Sequence, residues 1–261
     1  NVAMQIPGKE EFAETLRYFR RKLELTGVTV ELGRRVTREE LLAAGFDEVI
    51  VATGIRVRKP RIEGIEHPKV LSYLDVLRDK APVGRRVAII GAGGIGFDVG
   101  EYLLHDPAHP LPVPVAAWTR EWGVDLGVGA AGGLARPVAP EPFRQVWLMQ
   151  RKSSKPGAGL GKTSGWVHRA SLARGGVVMM AGVQYDRIDD AGLHVTVGGE
   201  RKLIEVDNVV ICAGQESLDE LMPAQAAASG PRFYKIGGAS LATELDAKRA
   251  IREGAELAAR L

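Results

Sequence analysis

Near the start of the chain, apolar residues return every third or fourth position: Phe12, Leu16, Phe19 and Leu23 stand at i, i+4, i+7 and i+11. With Pro7 before them and Gly27 after, this spacing predicts an amphipathic helix over 9–26. Period-two alternation then predicts a short strand, VTVEL, over 28–32. Thr37 precedes Arg-Glu-Glu as an N-cap does, so a helix is expected to begin there. EVIVATG, 48–54, reads as a buried strand, and proline and glycine break the pattern from Pro60 to Gly64. A short helix is expected over 72–78, and the linker DKAPVG after it marks a domain boundary.

RRVAIIGAGGIGFDVGEYLL opens a second unit as a strand running into a helix. Residues 105–143 are dense in Pro, Gly and Ala and interrupt this unit before the strand QVWLMQR resumes it. The strands VVMMAGV, a hairpin-like QYDRIDDAGLHVTVGGE and VDNVVICAGQE follow. The chain closes with a glycine turn at Gly238 and a helix with Leu245, Ile251 and Leu257 on its apolar side. No solenoid repeat is present.

In the second unit, Gly91, Gly93 and Gly96 have the spacing G-x-G-x-x-G directly after the strand Val87–Ile90. The first glycine permits a tight turn, the second a close approach of backbone to pyrophosphate, and the third close packing of helix on strand. The helix N-terminus aims amides and partial positive charge at the same place. A dinucleotide site is therefore expected at Gly91, Gly93, Gly94 and Gly96.

NAD-selective sites place an acid at the end of the next strand, where it binds the ribose 2'-hydroxyl. Here that strand ends in Gln150, Arg151 and Lys152, so a 2'-phosphate meets two cations and NADPH is expected over NADH. The stretch KPGAGLGKTSG, 155–165, looks like an ATPase phosphate loop, but the position five before Gly161 is Pro156 and no strand leads straight into it. Lys155 and Lys162 stand where they can reach the adenosine end of the dinucleotide; a surface loop with ordinary lysines satisfies the same pattern.

With 45% apolar and 26% charged residues in 261, the composition is that of an ordinary globular chain with room for one large or two modest domains. A net charge of +3, with no Lys/Arg run interleaved with aromatics, argues against nucleic acid as a partner. No apolar stretch approaches the roughly 20 residues of a membrane helix, and NVAMQIPGKEEF has no signal-peptide pattern, so no membrane partner and a cytoplasmic location are expected. The single cysteine, Cys212, sits in the apolar run VVICAG and cannot form a dithiol pair or a four-cysteine cluster. No metal site is expected.

Two further strands end alike, in Thr53-Gly54 and in Ala213-Gly214, and they flank the G-x-G-x-x-G unit. A strand ending ATG, an inserted unit opened by GAGGIG, a strand ending CAGQE and a late IGGA before a helix together resemble the two-dinucleotide-binding flavoprotein fold. More narrowly, QIPGKEEFAETLRYFRRKLELTGV, HPKVLSYLDVLRDKAPVG, RKSSKPGAGLGKTSGWVHR, VDNVVICAGQE and ELDAKRAI resemble the C-terminal portion of NADPH-dependent bacterial 2,4-dienoyl-CoA reductases, among the old yellow enzyme-related multidomain flavoproteins. The likeness runs over nearly the whole chain and is weakest in 105–143 and 217–234.

The resemblance implies an α/β fold with a Rossmann-like NADPH-binding domain, 84–199, inserted into an incomplete FAD-binding domain formed by 1–80 and 200–261. It implies FAD contacts at Thr53, Gly54, Ala213, Gly214, Gly238 and Ala239, the last pair standing where related flavoproteins have Gly-Asp. Hydride is expected to pass from NADPH to FAD with no acid or base side chain of this chain taking part. FMN, a 4Fe-4S cluster and the unsaturated fatty acyl-CoA substrate belong, in that family, to an N-terminal barrel. The portion read here is expected to bind NADPH, to hold FAD weakly and not to reduce the thioester alone. The alternative is a non-catalytic ADP-holding module like that of trimethylamine-dehydrogenase-type flavoproteins. His105, His109 and His168 are read as structural or surface residues, while Trp118 and Trp122 serve either to cover a cofactor ring or to pack.

Overall fold

The computed structural model describes residues 1–108, 113–139, 141–224, 230–243 and 246–261; His109 and Leu245 lie outside them. The chain opens with helices α1 (Phe12–Leu25) and α2 (Arg38–Ala43), strands β1 (Glu48–Val51), β2 (Ile55–Val57) and β3 (Val70–Ser72), and helix α3 (Tyr73–Leu77). Strand β4 (Arg86–Ile90), helices α4 (Gly94–Leu104) and α5 (Val115–Trp122), strand β5 (Gln145–Met149), helix α6 (Gly165–Arg174) and strand β6 (Val178–Met180) follow. The remainder comprises β7 (Val183–Asp189), β8 (Gly192–Val197), β9 (Glu200–Ile204), β10 (Asn208–Ile211), β11 (Gln215–Ser217), β12 (Arg232–Lys235) and α7 (Ala247–Ala258).

Two compact units divide the chain: Asn1–Arg21 with Lys59–Ala213, and Lys22–Arg58 with Gly214–Leu261. These limits differ from the expected 1–80, 84–199 and 200–261. The reason is β10, which pairs in parallel with both β3 and β4 and so draws the sequence on either side of DKAPVG into one sheet.

The larger unit is built on a five-stranded sheet in the order β3-β10-β4-β5-β6, with every pair parallel. A parallel sheet covered on both faces needs apolar residues throughout, and Val87 to Ile90 are all buried, as are Val146, Leu148, Met149, Val209 and Val210. Successive side chains choose opposite layers. Ile89 and Leu148 lie toward α4 and α6, where Gly100 lets the Leu172 side chain approach. Ala88, Ile90 and Met149 join Val183, Ile188, Leu193, Val195 and Ile204 of the antiparallel sheet β7-β8-β9 in one core. The expected hairpin is thus three strands, because β9 continues the meander beyond Gly198-Gly199. VVMMAGV divides at Ala181-Gly182 into β6 and β7, which belong to different sheets.

The smaller unit pairs β1 with β12 in parallel and β2 with β11 antiparallel. Val49, Val51 and Ala239 form its core with Leu41, Leu221, Met222 and Phe233 packed around them. Thr37 caps α2 as expected: its side chain accepts from the Glu40 amide, and Glu40 accepts from the Thr37 amide. VTVEL is not a strand, since alternation cannot form a ladder without a partner; Val28, Val30 and Leu32 are exposed. The helical period of α1 is observed, but Phe12, Leu16, Phe19 and Leu23 on its apolar face are exposed.

Candidate functional site

At the carboxyl end of β4 the chain turns through Gly91 into α4. Gly91 has φ +115 and donates its amide to the Met149 carbonyl at 2.8 Å, and a β-carbon there would lie 2.6 Å from the Cys212 carbonyl oxygen. Only glycine meets both demands. A β-carbon on Gly96 would stand 1.8 Å from the Gly91 carbonyl oxygen and 3.3 Å from Leu148, so its absence sets the approach of α4 to the sheet. Gly93 and Gly94 differ: nothing lies within 4 Å of where their β-carbons would be. No packing among the described residues demands glycine at either, and their face is open.

Gly93 is the N-cap of α4 and no side chain caps that end, leaving first-turn amides for an anion. The parallel register aligns Ile90, Met149 and Ile211, so Gly91, Gln150 and Cys212 emerge at one edge. This edge, outside the carboxyl ends of the strands, is where doubly wound sheets bind ligands. Arg151 and Lys152 follow there; both are exposed, and among the described residues neither forms an ion pair with a carboxylate. Their backbone is held in place: the Gln150 side chain donates to the carbonyls of Lys152 (3.1 Å) and Ser154 (2.5 Å), and Gly182 donates to that of Lys152 (2.9 Å). Arg151 also lies near the buried Tyr185 hydroxyl, which among the described residues has no hydrogen-bond partner and whose pKa burial pushes up against the opposing pull of the Arg151 charge.

The loop 155–165 does not form an ATPase cradle. It lies between β5 and α6, with Pro156 and Gly157 buried and Lys155 and Lys162 exposed. The Gly157 amide donates to the Ala92 carbonyl at 3.2 Å, tying this loop to the glycine turn. Nothing in the sequence singled out the pairing of Gly157 with Ala92, because the contact joins residues far apart in the chain.

Ala213, expected near FAD, ends the larger unit beside the same edge; its amide nitrogen is 3.0 Å from a would-be Gly91 β-carbon. The other residues expected near FAD lie in the smaller unit. Thr53 donates its hydroxyl to the Leu218 carbonyl, the Leu218 amide donates to Gly54, and Gly54 has no atom within 4 Å of its would-be β-carbon. The space over Gly214 is filled by the Arg58 guanidinium. Val51 pairs with Lys235, so Thr53-Gly54 and the turn Gly237–Ala239 share the carboxyl edge of two parallel strands. Gly238 and Ala239 are buried, and Ala239 contributes a core methyl and no polar atom.

Cys212 is buried and burial pushes its thiol pKa up, the opposite of what a reactive thiolate needs. His168 bonds Glu101 at 2.8 Å, joining α6 to α4. Trp118 and Trp122 pack on each other with ring centroids 6.3 Å apart, and Arg174 lies over the Trp122 ring. Among the described residues no cluster suited to a metal ion occurs, and no helix is long and apolar enough to cross a membrane.

Fold and edge together define a doubly wound α/β domain of the dinucleotide-binding type. The family model for pyridine nucleotide-disulphide oxidoreductases matches residues 10–232, and the chain belongs to that family. A bilirubin reductase of Mediterraneibacter gnavus (strain CC55_001C) is 36% identical over 103 residues, covering 40% of this chain and 16% of its own length. A metal reductase of Desulforamulus reducens (strain ATCC BAA-1160 / DSM 100696 / MI-1) is 23% identical over 85% of this chain and 33% of its own. The chain therefore spans a third or less of these relatives. Among solved structures, a 2-naphthoyl-CoA reductase complex superposes over 100% of this chain and 34% of its own with a TM-score of 0.78 at 23% identity. Histamine dehydrogenase from Rhizobium sp. 4-9 covers 99% of this chain and 37% of its own at 0.70 and 18%. These two establish the fold, a two-dinucleotide-binding flavoprotein architecture.

The family implies FAD and a pyridine nucleotide. The open faces of Gly93 and Gly94 and the uncapped end of α4 fit a pyrophosphate. The open Gly54 and the Gly237–Ala239 edge fit part of a flavin site. The family's dithiol chemistry has no counterpart in a chain with one cysteine.

Proposed function

We propose that this chain is the NADPH-binding and flavin-reducing portion of an NADPH-dependent oxidoreductase of the 2,4-dienoyl-CoA reductase type. NADPH is held by residues from 84–199: Gly91, Gly93, Gly94 and Gly96 at the pyrophosphate, and Arg151, Lys152 and Lys162 at the 2'-phosphate. FAD contacts come from 1–80 and 200–261, through Thr53, Gly54, Ala213, Gly214, Gly238 and Ala239. The observation that carries the reading is the pair Arg151 and Lys152, exposed beside the glycine turn and unpaired with carboxylates among the described residues. A 2'-phosphate neutralises them through charge-assisted bonds that a 2'-hydroxyl does not make.

Bound NADPH supplies a hydride, and bound FAD accepts it. The chain's own part is to orient the two and exclude competing reactions; no side chain has to move a proton. The acyl-CoA substrate, FMN and the 4Fe-4S cluster belong to further parts of the whole enzyme. The finer assignment is tested on a polypeptide carrying this region together with the family's barrel. NADPH oxidation that depends on added 2,4-dienoyl-CoA supports it, and oxidation indifferent to the thioester contradicts it. The second reading, an ADP-holding module, is favoured by the likeness to histamine dehydrogenase, a likeness of fold alone. The paired cations, which ADP does not need, argue against it.

A further inference from the structure

Between Gln150 and Gly157 the chain makes a short arch that carries Arg151, Lys152 and Lys155, all exposed. Its first foot is fixed by the Gln150 side chain and by Gly182, as described above. Its second foot is Gly157. This residue is buried, has φ +74, donates to Ala92 in the glycine turn, and leaves no room for a side chain: a β-carbon would lie 2.6 Å from the ring of the fully buried Phe97.

The Gly157 carbonyl is the last tie. It accepts from the Leu160 amide at 3.1 Å and from Arg169 Nη1, in the second turn of α6, at 2.9 Å. Arg169 is half-buried and, among the described residues, pairs with no carboxylate. A guanidinium has five N–H donors, and here, among the described residues, its one bond goes to a backbone carbonyl beside a proposed phosphate site. Nothing else among the described residues accounts for a half-buried arginine here, so its grip on the loop is the role left to it.

The geometry points to Arg169 as a positioning residue that sets dinucleotide specificity by holding the 150–157 arch against the glycine turn, so that Arg151 and Lys152 stand ready for a 2'-phosphate. This inference rests on the NADPH reading above. Pre-ordering the arch spares a phosphorylated dinucleotide the cost of fixing two long cationic side chains on a loose loop. NADH makes no use of those cations, so it gains nothing from the arch.

The test is calorimetric titration of the 261-residue chain and of Arg169→Met, Arg169→Lys and Arg169→Ala with NADPH and, separately, NADH. Methionine keeps the aliphatic stem but removes every donor. R169M is expected to raise the Kd for NADPH about tenfold while leaving that for NADH unchanged, as befits one charged hydrogen bond. R169K is expected to recover part of the NADPH affinity. Unchanged NADPH affinity in R169M overturns the inference and leaves the NADPH reading standing. An equal weakening of both dinucleotides also overturns it, since that marks a merely structural arginine. R169A decides in the same terms should R169M lose its cooperative unfolding transition. An unsubstituted chain that binds the two alike, or neither, removes the NADPH reading and this inference with it.

Discussion

A β-carbon on Gly96 would stand 1.8 Å from the carbonyl oxygen of Gly91, so α4 rests on the turn that precedes it with no space for a methyl. Gly93, two residues past Gly91 in the same turn, would meet nothing within 4 Å. Gly96→Ala is accordingly expected to destabilise the larger unit by about 1–3 kcal/mol or more. Gly93→Ala is expected to leave stability within about 0.5 kcal/mol of the parent while weakening dinucleotide binding by about tenfold or more. Thermal unfolding with and without NADPH separates the two: G96A melts earlier by itself, and G93A loses only the shift caused by the ligand.

Arg151 is exposed and lacks a carboxylate partner among the described residues, so its removal disturbs little in the protein itself. Arg151→Ala is expected to raise the Kd for NADPH by about tenfold with that for NADH unchanged. An unaltered NADPH/NADH ratio in this variant would move the 2'-phosphate away from Arg151.

Burial raises the Glu101 carboxyl above its ordinary range, and the His168 bond opposes this only in part. A raised folded-state pKa means that the folded chain holds the proton longer than the unfolded one. The stability contribution is therefore full below the unfolded pKa and is lost as pH rises through the folded one. Glu101→Gln, neutral throughout and still able to meet His168, is expected to flatten the decline in stability from acid to neutral pH. Urea midpoints of parent and variant across that range measure it; parallel curves would deny Glu101 the role.

In the smaller unit, Glu253 accepts from the Gly237 amide at 2.5 Å and from Arg249 at 3.1 Å, tying α7 to the turn that leads into Gly238 and Ala239. Glu253→Ala leaves a buried amide without its acceptor and is expected to cost about 1–3 kcal/mol, read as a lower urea midpoint. Glu253→Gln, which keeps an acceptor, is expected to recover part of the loss.

The larger sheet was readable because its strands are nearly continuous apolar runs closed by glycines, a signal contained within each segment. The glycine fingerprint was readable from its spacing alone: Gly96 is demanded by the Gly91 carbonyl five residues away, whereas Gly91 itself meets Cys212 and Met149 from distant parts of the chain. The pairing of β10 across the expected domain boundary had no local trace, because pairing partners are set by topology, and Ser72, Ile90 and Ile211 meet from distant parts of the chain. VTVEL shows the converse, a correct local alternation with no ladder to join. The Gly157–Arg169 bond had no legible trace, since a glycine in a glycine-rich loop and an arginine on a helix are each ordinary until the fold brings them to 2.9 Å.

Whether this edge holds a phosphorylated nicotinamide dinucleotide is decided by titration of the chain with NADPH and with NADH at the same moderate salt. A Kd for NADPH lower by about tenfold or more is expected, the worth of charge-assisted contacts to one phosphate. Equal affinities would contradict it, taking Arg151 and Lys152 off the ligand.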